Sequence, residues 1–203
     1  MANKTGIANG ALVKLGQDLI TDIADTSSKA ARLCNERLDN ARQIVLESHP
    51  FNGSVTRVTL AADVDTPSGD GYSNQFSLPA NNLRLITVEP ISGSTDYALE
   101  GSKILFSGTE LEIIYIEDTL DDYNLLSALV NEAISAYLAY DLGYLITNDN
   151  TTTERMEGLY EKTRRRAITA NNRQRKKESF HAEEWLNARM TGGYPSQYPR
   201  PTT

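Results

Sequence analysis

Hydrophobic positions recur at helical spacing in two separated stretches of the chain and at strand spacing between them. Near the start, Ile7, Ala11, Leu12 and Leu15 fall on one helical face and Gly16 follows as a residue that commonly ends a helix, which predicts a short helix over 5–15. After a polar loop, Ser27 or Ser28 offers an N-cap to a longer helix with the stripe Cys34, Leu38, Ala41 and Val45, flanked by Leu33 and Ile44. This helix should stop near Ser48, because His49 precedes Pro50 and a residue before proline avoids the helical region.

From residue 51 to residue 117 the apolar runs shorten. The stretches 55–60, 76–78, 83–89, 97–100, 103–106 and 110–116 are β-prone and are separated by Gly, Pro, Asn, Asp or Ser. Gly101-Ser102 is a two-residue loop suited to a tight hairpin. In the last run Leu111, Ile113 and Tyr115 share one face and Glu110 and Glu112 the other, the alternation of a half-buried strand.

Helical period then returns. Leu125, Leu129, Ala133, Ala136 and Tyr140 form one stripe and Leu126, Val130, Ile134 and Tyr137 another, so a helix over 125–142 is apolar round most of its circumference and should be central. Asp121 or Asp122 suits its start by capping and by the macrodipole. The apolar run to residue 146 raises the question of a membrane span, but Asn131, Glu132, Ser135 and Asp141 interrupt it, and charge at mid-span is costly in lipid. A buried helix, with no membrane role, is the expectation. Thr151-Thr152-Thr153-Glu154 reads as a capping box for a further helix with Met156, Leu159, Thr163, Ala167 and Ala170 inward and Arg164, Arg165, Arg166, Arg173, Arg175, Lys176 and Lys177 outward.

The implied fold class is α+β: a helical bundle from residues 1–50 and 118–178, an antiparallel β domain inserted over 51–117, and a C-terminal arm over 179–203. In the arm a short amphipathic stretch over 180–190 precedes Gly192-Gly193 and a proline-containing end, which should be extended and available.

Charge divides the chain in a way that hydropathy does not. Residues 154–203 hold 11 Lys and Arg against 6 Asp and Glu, a balance of +5, whereas residues 1–153 hold 9 against 21, a balance of −12. An acidic body does not seek nucleic acid by itself. The basic run has three readings: a solvated helix face, a phosphate contact, or an interface for an acidic partner. The third gains because the run leads into Phe180, Trp185, Leu186, Met190, Tyr194 and Tyr198, residue types that anchor protein interfaces. Between Lys103 and Arg155 there is no Lys or Arg, while Glu110, Glu112, Glu117, Asp118, Asp121, Asp122, Glu132, Asp141 and Asp149 all fall there. If copies of the chain surrounded a channel, that interval would give a wall that repels phosphates.

Candidate chemistry is sparse. Glu117, Asp118, Asp121 and Asp122 are the carboxylates on which a glycan hydrolase would rely, yet an acidic strand-to-helix loop is more simply solvated. The single Cys34 lies in an apolar stripe and reads as a core residue, and His49 and His181 read as structural. No cofactor, metal or phosphate-loop spacing occurs, and the start of the chain lacks the basic and apolar regions of a secretory signal.

Three motifs in order carry a resemblance: Ile7-Ala8-Asn9-Gly10-Ala11-Leu12-Val13-Lys14-Leu15-Gly16, then Ala30-Ala31-Arg32-Leu33-Cys34-Asn35, then Glu47-Ser48-His49-Pro50-Phe51-Asn52. With Leu78-Pro79, the hairpin before Tyr115 and the long helix after Asp121-Asp122, the order of parts over roughly residues 5–170 resembles the tail tubular protein A, or head-to-tail adaptor, family of short-tailed bacteriophages. The resemblance implies a structural virion protein assembled in the host cytoplasm. It would form a ring, typically of twelve copies, between the portal protein and a tail nozzle protein like tail tubular protein B, with DNA passing through without sequence-specific binding. It implies no catalytic residues. The C-terminal arm would dock on the portal, the basic helix would contact a neighbour, and Glu117, Asp118, Asp121 and Asp122 would face the channel. The alternatives are a tail-associated hydrolase of cell-wall or capsule glycan and a DNA-packaging factor.

Overall fold

The computed structural model describes residues 3–25, 27–65, 71–90 and 96–174. Among them are helices α1 (Lys4–Lys14), α2 (Lys29–Ser48), α3 (Ala128–Thr147) and α4 (Asn150–Gln174), and strands β1 (Val55–Ala61), β2 (Asn74–Ser77), β3 (Asn82–Pro90), β4 (Tyr97–Glu100), β5 (Lys103–Phe106) and β6 (Glu110–Glu117). The fold class is α+β, with the strands lying between the second and third helices in sequence. Residues 3–172 belong to one compact unit.

Local chemistry sets the helix ends. Asn3 caps α1 by accepting from the Gly6 N–H, Ser28 caps α2 by accepting from the Ala31 N–H, and Ser127 caps α3 by accepting from the Val130 N–H. α2 stops at His49 in extended backbone ahead of Pro50, as the proline requires. Two expected starts are corrected. Asp121 and Asp122 do not open α3, since Asp122 instead accepts from the Asn124 N–H in a turn and Leu125 and Leu126 precede the helix. The run Thr151-Thr152-Thr153-Glu154 lies inside α4, and Asp149 caps it by accepting from the N–H groups of Thr151 and Thr152.

α3 is the hub of the bundle. α1 and α2 both pack on it, and its Ala133, Ile134, Ala136, Leu138, Ala139 and Leu142 are buried. Gly10 of α1 allows that approach: a Cβ there would lie 2.6 Å from Ser135 Oγ. α4 closes the bundle with Met156, Tyr160, Thr163, Ala167 and Asn171 buried, and Tyr160 meets Tyr137 of α3 edge-on at 5.0 Å between centroids. Ala170, expected inward, is only half-buried. The two apolar stripes assigned to α3 also overreach at one end, because Leu125 and Leu129 are exposed. No helix among the described residues is long and apolar enough to cross a membrane.

The strands form two three-stranded antiparallel sheets, ordered β1-β6-β3 and β2-β5-β4. The β4–β5 turn is the expected Gly101-Ser102 loop, with Gly101 at φ +58, where the absence of a Cβ removes the steric penalty. Phe76, Ile104 and Phe106 from one sheet and Leu111, Ile113 and Tyr115 from the other make a core separate from that of the bundle. β6 joins the two. Leu111, Ile113 and Tyr115 point into the β core, while Ile116, on the other face, is part of the helical core.

Candidate functional site

The strand-to-helix corner after β6 brings the four predicted carboxylates close in sequence but gives each its own partner. Glu117 accepts from Thr56 Oγ1 and Asn81 Nδ2 across the end of the sheet. Asp118 is buried, and Arg42 of α2 grips it with Nε at 2.7 Å and Nη2 at 3.1 Å. Gln43 Nε2 donates to the same carboxylate at 2.9 Å and the Leu120 N–H at 3.0 Å. Asp121 pairs with Lys4 Nζ at 2.7 Å, and Asp122 caps its own turn.

Arg42 is itself only 2% exposed, and it also donates to Asp39 at 2.6 Å and lies 6.0 Å from the centre of the Tyr123 ring. Burial opposes charge on Asp118 more strongly than any other single influence. The hydrogen bonds from Arg42, Gln43 and the Leu120 N–H, with the Arg42 charge, together outweigh it and hold the carboxyl below its usual range. A group so held keeps its negative charge and is poorly suited to donate a proton. The channel-facing expectation is corrected for Asp118, because a buried carboxylate clamped by arginine presents nothing to a passing polyanion. Asp121 and Asp122 are exposed and Glu117 is half-buried.

The basic helix is α4. Arg165, Arg166 and Arg173 are exposed, whereas Arg164 is half-buried and turns back to Glu161 and Ser48. Arg175, Lys176 and Lys177, the aromatic and apolar anchors Phe180, Trp185, Leu186, Met190, Tyr194 and Tyr198, and His181 lie outside the described residues. Cys34 has no exposed surface, and burial pushes its thiol up to about 11.

The corner after α2 is tied to α4. Phe51 is buried and meets the His49 ring edge-on at 5.0 Å. Asn171 Oδ1 accepts from the Asn52 N–H at 2.8 Å, and its Nδ2 donates to the Pro50 carbonyl. Gly53 then lets the backbone pass the Leu125 carbonyl at a distance no side chain would allow.

A cleft of about 330 Å³ lies elsewhere, between the α1–α2 loop, the start of α2 and the end of α3, lined by Leu19, Ile20, Ala30, Leu33 and Ile146 with Asp18 and Lys29 at its polar edge. It is part apolar and open, and none of the predicted site residues lines it. Among the described residues, no three His, Cys, Asp or Glu side chains are grouped so as to hold a metal ion.

Sequence reasoning missed Arg42. Its signal was a lone cation between Leu38 and Val45 on the buried side of α2, beside Ala41, where only a paired charge is tolerated. It also missed the exposed leucines Leu120, Leu125 and Leu129, which resemble core residues in a linear pattern. In comparison with known proteins, no family model and no curated protein matches the chain.

Proposed function

We propose that this chain is a structural protein of a phage virion, a head-to-tail adaptor whose copies form a ring between the portal and the tail nozzle. One observation carries the reading: the segments behind the resemblance are those that lock the bundle. Gly10 seats α1 on α3, Cys34 lies at the centre of the α2 face, and Pro50-Phe51-Asn52 is the corner to which Asn171 of α4 is hooked.

The surface charge suits a conduit. Glu110, Asp121, Asp122, Glu132 and Asp149 are exposed in an interval with no Lys or Arg; Lys4 pairs with Asp121 and Lys14 with Glu132, and the net negative charge that is left keeps phosphates moving instead of holding them. The exposed cations of α4 serve contacts with neighbouring copies or the portal, and residues 179–203 supply the portal-docking arm. The chain's role is to bind and to position, and no catalytic group is assigned.

The test is electron microscopy of the full chain, alone and mixed with rings of the portal protein from the same virus. The reading expects closed rings with an open centre, stacked coaxially on the portal. A chain that ignores portal rings and instead hydrolyses cell-wall glycan, or that binds DNA tightly with a steep salt dependence as a free monomer, would overturn it in favour of one of the two alternatives.

A further inference from the structure

We infer that α4 carries a notch, centred on Gly158, that receives a second copy of this chain through the leucine and acid ledge leading into α3. The inference deepens the ring reading and rests on it in one respect, that copies meet head to tail.

Gly158 lies well inside α4, where glycine weakens a helix relative to alanine. Among the described residues nothing asks for it: a Cβ built at Gly158 meets none of their atoms within 4 Å, whereas one at Gly143 would come within 3.0 Å of Thr153 Oγ1. A helical glycine facing open space leaves room for something from outside to come close. Arg155, Lys162 and Arg165 share its face by helical spacing, on the side away from Met156, Tyr160, Thr163 and Ala167. All three are exposed, and neither they nor Arg166 forms an ion pair among the described residues. Glu154 and Glu161 border that face on one flank only, so the open side of the notch is cationic.

The complementary surface is the segment from the β6 corner to the first turn of α3. Leu120, Leu125 and Leu129 are 59%, 57% and 38% exposed there. Leu120 is held at φ +49, a left-handed conformation that a leucine seldom adopts, by the bond from its N–H to Asp118. Asp121 and Asp122 stand exposed beside it, and no Lys or Arg occurs in sequence from residue 104 to residue 154. Lys4 offsets part of that charge through its pair with Asp121.

Charge and shape agree. A leucine entering a notch without a side chain, covered by the aliphatic stems of Arg155, Lys162 and Arg165 while their heads reach Asp121 and Asp122, satisfies both surfaces. The two patches are different parts of one chain, so with copies meeting head to tail each notch takes the next copy's ledge, and the series ends in a ring where the rotation closes. On this assignment Asp121 and Asp122 serve the seam between copies, and Glu110, Glu132 and Asp149 remain for the lumen.

Two sets of full-chain variants test it by sedimentation velocity at low salt, by ring formation on portal, and by thermal melting of the monomer. Gly158→Ala should act in opposite directions, raising the melting temperature by roughly 2–4 °C while weakening association about tenfold or more. The double variants Arg155→Glu/Lys162→Glu and Asp121→Lys/Asp122→Lys should each melt within a few degrees of wild type yet fail to associate alone, and should assemble when mixed, since every seam is then opposite in charge. If Gly158→Ala and both charge variants form rings as well as wild type does, another surface builds the ring: this assignment falls and the ring reading stands. If the wild-type chain forms no ring alone or on portal, the ring reading fails and takes this assignment with it.

Discussion

The buried pair between Arg42 and Asp118 gives the most quantitative expectation, because its two halves are supported unequally. Breaking a buried ion pair by removing one partner costs about 3–5 kcal/mol. With Asp118→Asn, Arg42 keeps the Asp39 carboxylate at 2.6 Å and the Tyr123 hydroxyl at 3.3 Å, so the loss should fall near the lower end, at about 3 kcal/mol. With Arg42→Met, Asp118 keeps only Gln43 and the Leu120 N–H, neither of them charged, and the loss should approach about 5 kcal/mol. Against a total stability of about 5–15 kcal/mol, the second variant would be near its unfolding threshold. Replacing both partners by apolar residues, as in Arg42→Met with Asp118→Leu, should recover much of the loss, because no charge is left stranded.

The same pair predicts a pH dependence with a definite sign. The folded carboxyl of Asp118 lies below its ordinary value of 3.8, so its stabilisation is complete above that value and is lost as pH falls through the lower folded one. Urea unfolding followed by far-ultraviolet circular dichroism should show the full gap between wild type and Asp118→Asn at neutral pH, and a closing gap below about pH 4. Losses under about 1 kcal/mol for both single variants, or a gap that is constant down to pH 3, would refute the view that this pair is a closed electrostatic unit tying α2 to the β6 corner.

Three further expectations rest on separate features. Gly53→Ala places a methyl group against the Leu125 carbonyl and should destabilise the chain by about 1–3 kcal/mol in urea titrations, whereas Gly158→Ala should not destabilise it. Ser28→Ala removes the side-chain acceptor for the Ala31 N–H and should cost about 1 kcal/mol by the same measurement. Cys34, with its thiol raised to about 11 and no exposed surface, should react with a thiol reagent at neutral pH only at the rate at which the bundle opens, and full labelling within the mixing time would contradict its burial.

Most of the fold was legible because its signals are local. Leu38 and Val45 stand one helical stripe apart from a serine cap, and Leu111, Ile113 and Tyr115 alternate with acids, so period alone assigns them. What failed was charge and exposure. Asp121 and Asp122 have the chemistry of a cap, but Ser127 lies closer to the first residue with helical backbone, and Leu125 and Leu129 fit the α3 stripe although the bundle does not reach them. Asp118 reads as surface acid until Arg42, 76 residues earlier, is brought beside it by the fold. Long-range pairing of that kind leaves no periodic trace in a single sequence. The exposed Arg165 and Arg166 were legible because a cation on the outer face of an amphipathic helix needs no partner to stay there.

The most direct test of the central claim, that copies of this chain join into a conduit under the portal, is native mass spectrometry of the full chain mixed with assembled portal rings. The account predicts one dominant species in which a complete ring of the chain is bound to one portal ring, with no stable partial occupancy. A spectrum that holds only free portal and free monomer, at protein concentrations well above those expected in an infected cell, would contradict it.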